Sequence, residues 1–329
     1  MCLHSKPSSI SKFLAKTHCV LYISLANINQ YIMKRTVIFF VFFFCLTFSY
    51  SQTINQLVND HKGNEKLLGQ INRKGLTSNT FNSWYSENYD DYLTNDKIIS
   101  VLKDSLKQYH IKVFLGTWCG DSRREVPRFY NILDAANFPE SQLDVIAVDR
   151  TEEAYKQSPN AEEKGLNIHR VPTFIFYKEG KEVNRIVEFP KETLERDILN
   201  IITKNTYTPN YSTANYLDRL IVEKGLDTLR LKEKELAPRL AEFVLGSREL
   251  NTLGYVKLRA NQIEKAIYIF ELNTKIFPYK YNVYDSLGEA FYLSRNYAEA
   301  LKNYSKVLRL KPEDENAMKM ILEINNKMN

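Results

Sequence analysis

Apolar and polar positions follow several different rhythms along the chain. Between residues 94 and 106, Ile98, Ile99, Val101, Leu102 and Leu106 recur at helical spacing behind the helix-starting pair Asn95 and Asp96. The run Ile-Lys-Val-Phe-Leu-Gly at 111–116 is short and apolar and predicts a buried strand. A helix is expected from about 122, through Phe129, Ile132 and Leu133, followed by a second apolar strand at 143–148. Residues 173–177 and 182–188 flank Lys178, Glu179, Gly180 and Lys181, a hairpin pattern, and 190–202 predicts a closing helix. Residues 52–76, polar with scattered Leu and Ile, predict a helical extension. The order helix, strand, helix, strand, hairpin, helix implies an α/β fold over 77–203, a mixed sheet with flanking helices.

A different rhythm governs the C-terminal third. Residues 204–212 lack apolar periodicity and read as a linker, and 213–246 as a helical segment ahead of a repeat. Leu253, Gly254, Ala266, Phe270 and Pro278 recur as Leu287, Gly288, Ala300, Tyr304 and Pro312, each pair 34 residues apart. This resembles the tetratricopeptide (TPR) repeat, a helix–turn–helix unit of that period, and implies an all-α helical-repeat domain over 247–329. In such a unit the small residues let helices approach, the aromatics fill the space between them, and proline ends the second helix. Residues 316–326, with Met318, Ile321 and Leu322, supply a capping helix. The bland alternative is a pair of unrelated helical hairpins.

Composition first excludes, then misleads. Hydrophobic residues at 44% and only 11 glycines exclude collagen-like, low-complexity and wholly disordered chains. Net charge is +6, with four cysteines. The N-terminus, however, reads as a leader over 1–51. Met33-Lys34-Arg35, the apolar run 36–48, and Ser49 and Ser51 before Gln52 have the layout of a secretory signal peptide over 33–51. Translation is expected to begin at Met33, with residues 1–32 ahead of the true start. At 13 residues the run is short of the roughly 20 needed to span a bilayer, so no stable membrane insertion is expected after cleavage. Removing the leader takes away five basic and no acidic residues, lowering the charge to +1, and leaves Cys119 as the single cysteine. That excludes an internal disulfide or a cysteine-cluster metal site, and gives no basis for nucleic-acid binding. The mature protein is expected to be exported, periplasmic or secreted.

Cys119 follows one predicted strand and opens the next predicted helix, where unpaired backbone N–H groups favour a thiolate. Its setting is Thr117-Trp118-Cys119-Gly120-Asp121-Ser122. This resembles the thioredoxin superfamily, whose Trp-Cys-x-x-Cys site lies at the same junction. Arg123-Arg124-Glu125-Val126-Pro127 is similar to the first-helix signature of the periplasmic TlpA-like branch. Val171-Pro172-Thr173 is similar to the family's cis-proline segment, which holds substrate backbone. The resemblance implies Cys119, Ser122 and Glu125 as catalytic candidates, and Trp118, Gly120, Asp121, Val171 and Pro172 as substrate-binding candidates.

The departures from that pattern shape the function. Ser122 stands where the family has its resolving cysteine, so Cys119 has no internal partner to break a mixed disulfide. Val113 occupies the place of a buried Asp that aids proton transfer in many thioredoxins. Asp121 opposes a thiolate, while Arg123 and Arg124 offset it. Cys-Gly-Asp-Ser differs from the Cys-Gly-Phe-Ser of monothiol glutaredoxins, and no cofactor or metal is expected. His61 and His110 are isolated; His169 reads either as a surface-loop residue or as a base near the thiol. Three functions remain open. Cys119 is a working monothiol in thiol–disulfide exchange or capture of exported partner proteins, with Ser122 as hydrogen-bond donor to it; or the protein is a non-catalytic adaptor whose repeats bind proteins; or Cys119 is a packed small hydrophobe.

Overall fold

The structure, a computed structural model, describes residues 53–203 and 206–328. The leader, the signal peptide, the proposed start at Met33, and Cys2, Cys19 and Cys45 lie outside the described residues.

A six-stranded mixed sheet organises the first part of the chain. Its strands are β1 (Gln56–Asn59), β2 (Glu65–Ile71), β3 (His110–Leu115), β4 (Leu143–Ala147), β5 (Thr173–Lys178) and β6 (Lys181–Val187). Their order across the sheet is β1-β2-β4-β3-β5-β6, and all neighbours are antiparallel except β3 and β4. That parallel pair needs a crossover, and helix α4 (Gly120–Ala135) supplies it. The central strand β3 is covered on both faces, which is why it reads as a continuous apolar run. Ile111, Val113 and Leu115 join the larger core beneath α2 (Asn79–Asp90), α3 (Asp96–Ser105), α4 and α5 (Leu194–Ile202). Phe114 points the opposite way and joins Ile146, Val148, Val171 and Ile175 in a smaller core, against which Trp118 and Cys119 pack.

Several expected elements form where their pattern placed them. Asn95 caps α3 by accepting from Ile98 N–H at 3.3 Å. The β5–β6 hairpin pairs Lys178 with Lys181 around Gly180, whose φ is +74°. The helix expected over 52–76 is corrected, because these residues are β1, β2 and the one-turn helix α1 (Arg73–Leu76). The cause is local turn chemistry: Asp60 Oδ1 accepts from Lys62 and Asn64 N–H at 2.9 Å, and Gly63 at φ +80° closes the hairpin. Helix α2 had no counterpart in the sequence expectations, since its aromatic residues Phe81, Trp84, Tyr85 and Tyr89 cluster without a clean amphipathic stripe.

The C-terminal part is helical throughout. Helices α6 (Ser212–Lys224), α7 (Leu226–Leu231) and α8 (Glu233–Ala241) precede α9 (Ser247–Arg259), α10 (Ile263–Ile276), α11 (Tyr281–Leu293), α12 (Tyr297–Leu310) and α13 (Glu315–Met328). This stretch of helices is consistent with a helical-repeat domain. The 34-residue spacing has a packing cause. A Cβ on Gly254 of α9 would meet the Phe270 ring of α10 at 2.3 Å, and one on Gly288 of α11 would meet Tyr304 of α12 at 3.1 Å. Buried Glu249 ties the segments together, its carboxylate accepting from Ala214 and Leu245 N–H at 2.9 Å each. Among the described residues, no helix is long and apolar enough to cross a membrane.

Within the stretch expected as a linker, the described residues 206–212 are tied to the sheet domain. Tyr207 donates to Asp197 at 2.7 Å and Asn210 to the Phe189 carbonyl at 2.8 Å. A second connection is the loop between β4 and β5. Gln157 Nε2 donates to the Arg259 carbonyl at 3.0 Å, and Glu152 pairs with the Arg259 guanidinium at 3.0 Å. At the start of this loop Asp149 pairs with buried Lys66 of β2.

Candidate functional site

The β3-to-α4 junction is built from short-range backbone bonds. Cys119 is the N-cap of α4, in extended conformation, with its N–H donating to the Gly116 carbonyl at 2.8 Å. Its own carbonyl accepts from Arg123 N–H at 3.0 Å, the first helical bond. The thiol is half-buried, and Sγ donates to the Val171 carbonyl at 3.3 Å. The Val171–Pro172 peptide is cis. Trp118 is held by Nε1 donating to the Val148 carbonyl at 2.9 Å, and its indole lies so close over Gly116 that no Cβ would fit there. Cys119, Trp118, Val171 and Pro172 thus come together from three separate segments. Gly120, at the start of α4, faces open space.

The other sequence candidates are placed differently. Ser122 is fully buried, and its hydroxyl accepts from Gly116 N–H at 3.2 Å. It is not the hydrogen-bond donor to the thiol that the sequence suggested; Sγ turns to Val171 instead. Glu125 is also buried, with its carboxylate paired to Arg124 at 2.6 Å and Arg128 at 3.7 Å. The same Arg124 holds Asp121 at 2.9 Å, so these two acidic groups share one guanidinium. Arg123 donates to the Thr117 carbonyl at 2.6 Å and so clamps the loop.

His169 is a correction to the surface-loop expectation: it is 1% exposed, with Nδ1 3.2 Å from the Asn167 carbonyl and Tyr211 edge-on at 6.4 Å. Burial pushes its imidazole down to about 3, so it stays neutral across ordinary pH and is a poor proton acceptor.

Two residues beside the thiol were missed by sequence reasoning. Lys156 is only 6% exposed, with Nζ 5.3 Å from the Trp118 ring centroid and 4.9 Å from that of Tyr155. Burial lowers its amine to about 8, while the charge of Cys119 acts in the opposite direction. Tyr155 is raised, first by burial and then, more weakly, through the same sulfur. Both lie in a polar loop with no periodicity, so the only sequence signal was their position between the two halves of the site.

Tyr155 also lines a groove. This groove, of about 680 Å³, is lined by Glu152 and Tyr155 of this loop and by Tyr255, Arg259, Tyr292 and Met320 of the helical stretch. The loop is therefore a shared wall between the thiol and the groove. A larger cleft of about 880 Å³ between β6 and α6 has no such link to Cys119. Among the described residues, no group of His, Cys, Asp and Glu is arranged to hold a metal ion.

Comparison with known proteins agrees with this geometry. A family model described as "Thioredoxin" matches residues 77–199. The chain is 32% identical over 93 residues to thioredoxin H2-2 of Oryza sativa subsp. japonica, covering 28% of this chain and 62% of that protein. It is 30% identical over 95 residues to thioredoxin H-type of Picea mariana, covering 29% of this chain and 68% of that one. The chain belongs to the thioredoxin family. Thioredoxin Asp f 29 of Aspergillus fumigatus, 29% identical over 82 residues, extends the likeness beyond plants and covers 25% of this chain and 67% of its own length. The family model ends at residue 199, ahead of the C-terminal helices of this thioredoxin-family chain, and each of the three relatives covers less than a third of its length.

Proposed function

We propose that this protein is an exported, TlpA-like thioredoxin variant in which Cys119 works as a monothiol. It exchanges with, or captures, disulfides and thiols on partner proteins. The observation that carries this reading is the thiol's placement: half-exposed at the N-cap of α4, facing the carbonyl before Pro172. The N-terminal end of a helix favours the thiolate, the nucleophilic form. With Ser122 in the second position, an external thiol completes each cycle. The helices from α9 onward act as tetratricopeptide repeats that hold the partner, a role supported by the 34-residue packing of Gly254 and Gly288 and by the groove whose wall includes Tyr155. Substrate backbone docks on Val171 and Pro172, beside Trp118, Gly120 and Asp121.

A second reading is favoured by Ser122 itself. Sealed from solvent and bonded to Gly116 N–H, it stabilises the loop, as a site converted to adaptor use would. Trapping separates the two. Disulfide-linked partners recovered from an exporting cell with wild-type protein, and absent with Cys119→Ser, support the monothiol. Partners retained by Cys119→Ser but lost when the groove residues Tyr255 and Tyr292 are replaced by Ala would leave the adaptor.

A further inference from the structure

A buried ammonium is costly unless an anion faces it, and the carboxylates around Lys156 are spoken for. Lys156 Nζ makes no hydrogen bond or ion pair among the described residues; its close neighbours are the faces of Trp118 and Tyr155. Glu188, after β6, lies within electrostatic range but is bound to Arg170 at 2.9 Å, and that guanidinium repels Lys156. His169 is neutral and Tyr155 is held protonated. On α4, Asp121 and Glu125 belong to Arg124, and Arg123 is tied to the Thr117 carbonyl. The remaining group able to carry negative charge toward Lys156 is Cys119. The backbone fixes this placement: Lys156 is left-handed at φ 57°, its N–H donates to the Asp149 carbonyl at 2.9 Å, and Asp149 N–H donates to the Gln157 carbonyl at 2.8 Å.

The geometry points to Lys156 as the proton partner of Cys119, standing in for both the absent buried acid at Val113 and the absent second thiol at Ser122. This rests on the monothiol function proposed above. The resting pair is a Cys119 thiolate and a Lys156 ammonium, formed by moving the thiol proton onto the amine. The thiolate attacks a disulfide R–S–S–R′, a Cys119–S–S–R bond forms, and the pair of electrons leaves on R′–S⁻, which takes the Lys156 proton. Cys119 is now neutral and no longer helps hold a proton on the buried amine, so Lys156 remains an amine. An incoming thiol R″–SH gives its proton to that amine, and R″–S⁻ attacks the R sulfur. R–S–S–R″ departs, and the thiolate–ammonium pair is restored. One disulfide is exchanged for another, with no net oxidation.

The amine's pKa of about 8 suits both directions of transfer near neutral pH. Lys156 is here the group that hands a proton to the departing thiolate and takes one from the incoming thiol.

The test uses the full chain with Cys2, Cys19 and Cys45 replaced by Ser. Iodoacetamide labelling of Cys119 is followed against pH in wild type, Lys156→Met and Lys156→Arg. Separately, the mixed disulfide of Cys119 with 5-thio-2-nitrobenzoate is released by 2-mercaptoethanol and followed by absorbance. An opposite charge shifts a thiol's titration by roughly one unit or more, so Lys156→Met is expected to slow labelling at pH 7 about tenfold. Arginine keeps the charge but not a transferable proton. Lys156→Arg should therefore label near the wild-type rate while releasing the mixed disulfide at least about tenfold more slowly. If Lys156→Met unfolds, the arginine variant alone still separates charge from proton transfer. Labelling and release profiles that superimpose on wild type in the folded variants would overturn the assignment and leave exchange intact. Lys156-dependent labelling without disulfide turnover in wild type would support the pairing and sink the exchange function.

Discussion

The two glycines at equivalent places in the helical stretch form a built-in comparison. Replacing either by Ala adds one methyl group and removes the helix penalty of glycine, a gain of about 1 kcal/mol. At Gly254 the new Cβ would lie 2.3, 2.6 and 2.8 Å from three atoms of Phe270. To restore ordinary carbon–carbon contact the ring must retreat by roughly 1.2 Å. Phe270 is fully buried and has Tyr255 edge-on at 5.3 Å, so it has little room to do so. Overpacking of this kind costs about 2–3 kcal/mol, which outweighs the helix gain and leaves Gly254→Ala destabilised by about 1–2 kcal/mol. At Gly288 the closest Tyr304 atom is at 3.1 Å, and a shift of roughly 0.4 Å suffices. There the two effects cancel, and Gly288→Ala should fall within about 0.5 kcal/mol of wild type. Urea unfolding followed by far-UV circular dichroism compares the two variants directly. A Gly254→Ala midpoint equal to or above that of Gly288→Ala refutes the packing argument.

Other substitutions probe the site and its supports. Buried His169 is protonated only near pH 3, against 6.5 for the free side chain, so the unfolded chain binds the extra proton in between. Stability should therefore be full above pH 6.5 and fall by about 1.4 kcal/mol per unit as pH drops from there toward 3; His169→Phe flattens this slope in unfolding curves taken from pH 6.5 to 4, and an unchanged slope assigns it elsewhere. Glu249→Gln aims an amide at one of two backbone N–H groups and should cost about 1–3 kcal/mol, read as a lowered thermal midpoint. Ser122→Cys restores the spacing of a dithiol. Under mild oxidation, mass spectrometry should find a disulfide between Cys119 and the introduced thiol, and two free thiols would show that the loop holds the pair apart.

The central elements were legible in the sequence because each is defined by near neighbours. The runs at 111–116 and 173–177 are apolar without interruption since both strands are covered on two faces, and Gly180 marks the turn between β5 and β6. The 34-residue repeat was legible because Gly254 and Gly288 are demanded by single aromatic contacts. Strand β2 was not legible, because its partner β4 lies about eighty residues away, and edge strand β1, polar and mostly exposed, pairs only with β2. Cys119, Trp118, Val171 and Pro172 were brought together as the motif implied, whereas Ser122 and Glu125 were turned to Gly116 and two arginines. Lys156 sits in Thr-Glu-Glu-Ala-Tyr-Lys-Gln, a stretch that looks solvated, and its burial arises from the Trp118 ring. His169 is buried by the linker residue Tyr211, which no local pattern could announce.

The loop carrying Tyr155 and Lys156 is anchored at one end to Lys66 and at the other to Arg259. Because Arg259 closes α9, the loop beside Cys119 is held from both halves of the chain, and cutting at residue 203 would remove one of its supports. Any partner that shifts α9 pulls on the same stretch of backbone that sets the lysine beside the sulfur. On the monothiol function proposed above, occupancy of the helices would bear on readiness of the thiol through this stretch, and a shortened chain would keep the fold's outline without the Arg259 contacts.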